Sequence, residues 1–141
     1  MERSKKWFAV ITLFVMCFCC FGCKARKIED QKLSDIEFTV LKECDIPAEL
    51  LGQIETKKGK EFKCTFYNQD QKDYLYIVVG YGQQPTGGYS ITVEDLYLTE
   101  NSVYIDTSLI GPSKDDVVTQ AVTYPYIVVR IQYIDRPVTF I

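Results

Sequence analysis

The side chains able to do chemistry in this sequence are six cysteines, nineteen carboxylates and ten tyrosines, and there is no histidine. Without an imidazole, neither a Ser-His-Asp nor a Cys-His nucleophilic system can be assembled. A histidine-bearing zinc site is excluded as well, and the side chain that titrates nearest physiological pH is missing. Carboxylates are the remaining route to catalysis, with Glu94, Asp95, Asp115 and Asp116 as candidates. A glycosidase would need two carboxyls ~5–9.5 Å apart across a cleft. These acids are instead expected in turns, where solvated charge usually sits. The chain is read as non-catalytic, with no metal and no cofactor. The net charge of −3 argues against a nucleic-acid partner, which would call for a basic stripe.

Four of the cysteines fall within the first 23 residues. MERSKK supplies Arg3, Lys5 and Lys6, and residues 7–22, WFAVITLFVMCFCCFG, contain no charge. A basic start followed by a short apolar run is the pattern of a signal peptide, and 16 residues are few for a membrane span, which needs ~20. Gly22-Cys23-Lys24 resembles a bacterial lipobox, with Cys20 where Leu is usual. The resemblance makes Cys23 the acylated first residue of the mature chain. Residues 1–22 are then the signal peptide, and 23–35 carry the lipid and a polar tether. The protein is expected outside the cytoplasm, held to the membrane by its lipid. Its acidic excess should keep it from lying flat on an anionic surface.

Cys44 and Cys64 remain. An oxidising compartment permits a disulfide, and its loop of 19 intervening residues would contribute ~3 kcal/mol in the chain-entropy model. The other reading is two small buried hydrophobes.

The elements that must position these residues are mostly strands. Residues 36–42 and 61–67 alternate apolar and polar. Residues 73–82, DYLYIVVGYG, are nearly continuously apolar, as in a strand buried on both faces. Further strands are expected at 89–98, 103–110, 117–124 and 126–134. Between the first two strands, Asp45, Pro47 and the AELLGQIETKKG stretch predict one short helix, with Leu50, Leu51 and Ile54 on one face. Six or seven strands at short spacing make residues 36–141 a single mainly β domain. The expected architecture is an antiparallel β-sandwich or barrel-like domain with one N-terminal helix.

Two stretches stand apart from this regular pattern. In QQPTGGYSI, Pro85 presets φ for a turn, and Gly87 and Gly88 admit φ > 0. The bland reading of Pro85, Thr86, Gly87, Gly88 and Tyr89 is a hairpin between 73–82 and 89–98. The functional reading is a loop whose glycines let a partner approach the backbone, flanked by Tyr81 and Tyr89. In VVTQAVTYPYIVVRI, Pro125 cannot donate a ladder hydrogen bond. Tyr124-Pro125-Tyr126 should therefore mark a bulge, a sheet crossing or an edge. The tyrosines either cover the core rim or extend an aromatic surface beside the loop.

Together, GQQPTGGYSI and VVTQAVTYPYIVVRI resemble the C-terminal domain of PrcB-type protease complex subunits, over residues 74–131. The resemblance implies a bacterial envelope lipoprotein that binds, and helps to assemble or stabilise, a subtilisin-like surface protease. A weaker likeness points to an inhibitor. Pro85-Thr86-Gly87-Gly88-Tyr89 is similar to the Pro-Thr-Thr-Gly-Tyr loop of chagasin-type cysteine-protease inhibitors, and Arg136-Pro137 is similar to their Arg-Pro-Trp element, with Val138 in place of Trp. Gly111-Pro112-Ser113 does not match their glycine-rich loop.

Overall fold

The computed structural model describes residues 30–141. The signal peptide and the lipid attachment expected at Cys23 lie outside the described residues. Eight strands form: β1 (Ser34–Asp35), β2 (Thr39–Val40), β3 (Glu61–Phe66), β4 (Tyr74–Tyr81), β5 (Ser90–Leu98), β6 (Val103–Ile110), β7 (Tyr126–Gln132) and β8 (Val138–Phe140). Among the described residues one α-helix, α1 (Ala48–Lys57), precedes β3. The strands make two four-stranded sheets, in the orders β1-β5-β6-β8 and β2-β7-β4-β3. The fold is thus mainly β and sandwich-like, without a closed barrel.

β4 and β7 are the inner strands of the second sheet and pair antiparallel from Tyr74↔Gln132 to Gly80↔Tyr126. Their side chains alternate between two apolar layers, as the two-residue period requires. Leu75, Ile77 and Val79 of β4 and Ile127, Val129 and Ile131 of β7 face the first sheet, where Leu96, Val103 and Ile105 complete the core. Val78 and Val128 point the other way, under Ile46, Leu50 and Ile54 of the helical segment. A continuously apolar strand is stable only when both faces are covered. The helix supplies the second cover, which explains the unbroken IVVG run.

Helix α1 begins immediately after Pro47, whose missing N–H costs nothing at a helix start. Asp45 does not cap it. That residue closes a short 3₁₀ turn, Glu43–Asp45. Leu50 and Ile54, four residues apart, are fully buried against the sheet. The Lys58 N–H donates to the Ile54 carbonyl (2.9 Å) and ends the helix.

Four expectations are corrected. The strand expected at 36–42 is two short pieces of one segment: β1 pairs with β5 in one sheet, and β2 pairs with β7 in the other. Residues 36–38 pass between the sheets: Ile36 packs on the inter-sheet core and Leu41 under the helix, while Phe38 and Val40 stay exposed. The tether expected up to residue 35 ends sooner. The Leu33 N–H donates to the Leu98 carbonyl (2.8 Å), and Asp30 accepts from Asn101 and Tyr104. The sheets are not wholly antiparallel, because β8 runs parallel to β6. The chain reaches β8 from β7 across the sandwich, and this fixes its direction. Residues 117–124 form no strand, as described below.

The possible Cys44–Cys64 bridge is not formed. Cys44 is exposed in the 3₁₀ turn, while Cys64 points into the layer beneath the helix. Burial raises the Cys64 thiol pKa, with Lys57 opposing weakly. Because the thiolate is the nucleophile, alkylation at pH 8 should label Cys44 at least about tenfold faster than Cys64, read by peptide mass mapping. Equal rates would contradict this packing.

Gly80 marks the tightest contact in the outer layer. The Phe62 ring lies where its Cβ would be, and the two residues face each other across β3 and β4. Gly80→Ala should therefore destabilise the fold by about 1–3 kcal/mol, the usual cost of overpacking, as a lowered urea midpoint at unchanged slope.

Candidate functional site

The loop 82–89 is not a hairpin. β4 and β5 lie in different sheets, so the loop carries the chain across the sandwich. Gly82, at φ +69, turns it away from the backbone of Lys60 and Glu61, where a Cβ would collide. The segment 111–125 makes the reverse crossing, from β6 to β7. Of the three readings open for Pro125, the sheet crossing is the one realised. Pro125 directly precedes β7, where its lack of an N–H breaks no ladder, and its carbonyl accepts from the Tyr81 N–H (3.0 Å).

The two crossings meet at one end of the sandwich and bond to each other. Gln84 and Thr123 exchange backbone hydrogen bonds at 2.8 and 3.0 Å. The Gly87 N–H donates to the Thr119 carbonyl (2.9 Å), and the Thr123 hydroxyl donates to the Thr86 carbonyl (2.7 Å). This is why 117–124, although rich in β-forming residues, makes no strand. Its partner is a loop rather than a strand, and only one bridge of a ladder forms.

The glycines serve this junction. A Cβ on Gly88 would lie 2.5 Å from Val118 Cγ1 and 3.1 Å from Pro112 Cβ, and Gly88 sits at φ +84. A Cβ on Gly87 would lie 3.0 Å from Thr119 Oγ1. The close backbone approach expected of an outside partner is thus made by the chain's own crossing. Tyr89 is also engaged: its ring lies against Gly111. Tyr81 turns inward, and its hydroxyl donates to the Thr107 carbonyl (2.7 Å), tying the two sheets together.

What the junction presents to solvent lies mainly on the second crossing. Val117 is fully exposed, Val122 about half so, and Tyr124 is exposed beside Lys58, whose ammonium sits 5.7 Å from the ring centroid. Pro85 is exposed on the first crossing. Tyr126 is half-buried, and burial, then the carboxylates of Glu43 and Glu55, raise its phenol pKa. The sequence pattern concealed Val117 and Val122, because alternation places them in a strand. The turn residues of GPSKDD just before them were the one sign of a long excursion.

The other candidate residues do not converge here. The Arg136 guanidinium donates to the Thr99 carbonyl (2.6 Å), beside the hairpin that joins β5 to β6. Loop 82–89 enters β5 at its opposite end, ~25–30 Å away for a nine-residue strand. The two inhibitor-like elements therefore stand at opposite ends of the sandwich. The carboxylates are also divided. Glu94 and Asp95 lie in β5, not in a turn, while Asp116 accepts from the Ser113 N–H and closes a turn in the second crossing.

The junction predicts the effect of Gly88→Ala. The strained φ and the collision with Val118 should together cost about 1–3 kcal/mol. Hydrogen exchange at the Gly87 amide should quicken by more than the global loss of stability. Exchange that tracks global stability alone would show that Gly88 does not hold the junction.

Residues 75–132 match a protein-family model described as PrcB C-terminal. No curated protein and no solved structure was found to match the chain. The matched region starts in β4, takes in both crossings, and ends with β7, so its two ends are hydrogen-bonded neighbours. The junction lies wholly within it. Residues 75–132, about two-fifths of the chain, thus carry the pattern of the PrcB C-terminal domain.

Proposed function

We propose that this chain is a non-catalytic, lipid-anchored subunit outside the cytoplasm that docks on a protease complex and stabilises it. The match of residues 75–132 to the PrcB C-terminal family model supports association with a protease complex. The observation that carries the docking role is the welded pair of crossings. Two irregular segments, of the kind that usually carry recognition, are tied together by mutual backbone bonds, and each is joined at one end to β4 or β7, the strands with apolar cover on both faces. Such a platform loses little conformational entropy on binding. It displays Pro85, Val117, Val122 and Tyr124 outward, while Thr86, Gly87, Gly88, Tyr89, Pro125 and Tyr126 hold it in shape. The absence of histidine from the sequence fits a partner rather than a catalyst.

The test is a pull-down of the full-length tagged protein from native membranes, comparing the natural chain with Val117→Asp and Tyr124→Ala. A protease should be recovered in stoichiometric amount and remain active in the complex. Each variant should retain its fold and lower the recovery at least about fivefold, the effect of losing an interface contact of ~1 kcal/mol. Equal recovery with both folded variants would remove the platform from the interface. Stoichiometric loss of protease activity would turn the reading to inhibition.

A further inference from the structure

Strand β5 has an outer edge that the described residues leave largely open. On one side it pairs with β6 along its whole length. On the other, β1 pairs only with Tyr97 and Leu98, and the Ile36 N–H reaches the Leu96 carbonyl (3.1 Å). Among the described residues, no strand pairs with that edge from Ser90 to Asp95. This leaves about 20 Å of strand, the length of an ordinary β-strand.

The direction of the unpaired groups follows from the ladder. Antiparallel pairs alternate between those that exchange hydrogen bonds and those whose N–H and C=O point away. The carbonyls of Leu98 and Leu96 point away from β6, since they accept from Leu33 and Ile36. Carried along the register and across the irregularity between Val93 and Asp95, the alternation turns the backbone of Ile91 and Val93 toward the open edge. Their side chains face the core.

The outward face beside this edge carries one sign of charge. β5 and β6 contain Glu94, Asp95 and Asp106 and no Lys or Arg. Asp95 and Asp106 are directly opposite each other across the strands, an arrangement that is unfavourable on its own. Lys32 lies 3.2 Å from Asp95 but also 2.6 Å from Asp35, so its charge is shared.

We propose that the Ser90–Asp95 edge of β5 accepts an extended, lysine- or arginine-bearing segment of a protein partner, which adds to the sheet as a strand. Backbone pairing at Ile91 and Val93 supplies the affinity common to strand addition. Cations on the outward face of the added strand would meet Glu94, Asp95 and Asp106, and so choose the segment. This site differs from the crossing platform, and its test uses other residues.

The probe is an acetylated eight-residue peptide of alternating Val and Lys, added to the full chain at low salt, with an alternating Val and Glu peptide as control. Without peptide, the Ile91 and Val93 amides should exchange quickly. The Val-Lys peptide should slow both at least tenfold and the Val-Glu peptide neither, and 0.5 M salt should weaken the effect. A folded Glu94→Lys/Asp106→Lys variant should bind the Val-Lys peptide at least tenfold more weakly. Slow exchange without peptide, no protection with it, equal protection by both peptides, or unchanged binding by the double variant would each overturn the proposal. The first three results need no variant, so they hold whether or not the double variant folds.

Discussion

The structure depends on the pairing of β4 with β7. These two strands are apolar along their whole inner face and, around Val78 and Val128, on the outer face as well, and neither apolar surface can be left to water. Fully burying one Val, Leu or Ile contributes about 1.5–3 kcal/mol, and the pair buries Leu75, Ile77, Val78, Val79, Ile127, Val128, Val129 and Ile131. One face requires a second sheet and the other requires a helix. The three-layer order of helix, sheet and sheet follows from this pair. The helix contributes only a few residues, chiefly Leu50 and Ile54, but without them Val78 and Val128 would face solvent.

A two-sheet arrangement around a central pair forces the chain to cross. β5 and β6 form the heart of the first sheet, yet they lie in sequence between β4 and β7 of the second. The chain must leave one sheet and return to it, and both passages fall at the same end. Loops carry backbone groups that need partners, and here each crossing supplies them to the other. Glycine is required where the two backbones approach, above all at Gly88 with its positive φ. The residues that look made for an outside partner are thus partly consumed in making the platform. What remains open to solvent lies mainly on the second crossing, at Val117, Val122 and Tyr124. Tyr81, bonded across the sandwich to Thr107, keeps that end from splaying.

Much of this architecture is legible in the sequence. The runs at 61–67, 73–82, 89–98, 103–110 and 126–134 all contain strands close to their expected bounds, because a two-residue alternation and an unbroken apolar run each report burial directly. The helix over 48–57 is visible from Pro47 and the spacing of Leu50, Leu51 and Ile54. Residues 36–42 and 117–124 are misjudged for one reason. Alternation reports that side chains meet two environments, not that the backbone has a ladder partner. In 36–42 only Ile36 and Leu41 pack, on different layers, while Phe38 and Val40 stay exposed, and in 117–124 the backbone partner is another loop.

The sequence by itself determined the class of the protein. The lack of histidine closed the commonest routes to catalysis, β-branched and aromatic runs set a mainly β domain, and two motifs at their spacing pointed to a resemblance with the PrcB C-terminal domain. These are properties of composition and local period, carried by each segment without reference to any other. Only the tertiary structure decided that the glycine loop is a crossing rather than a hairpin, that its backbone is already engaged, and that Arg136-Pro137 lies at the far end. It also decided that Cys44 and Cys64 stay apart and that Asp95 faces Asp106. Each of these is a relation between residues distant in the chain. Such relations are fixed by which strands share a sheet, and strand pairing is settled by the burial of the whole core.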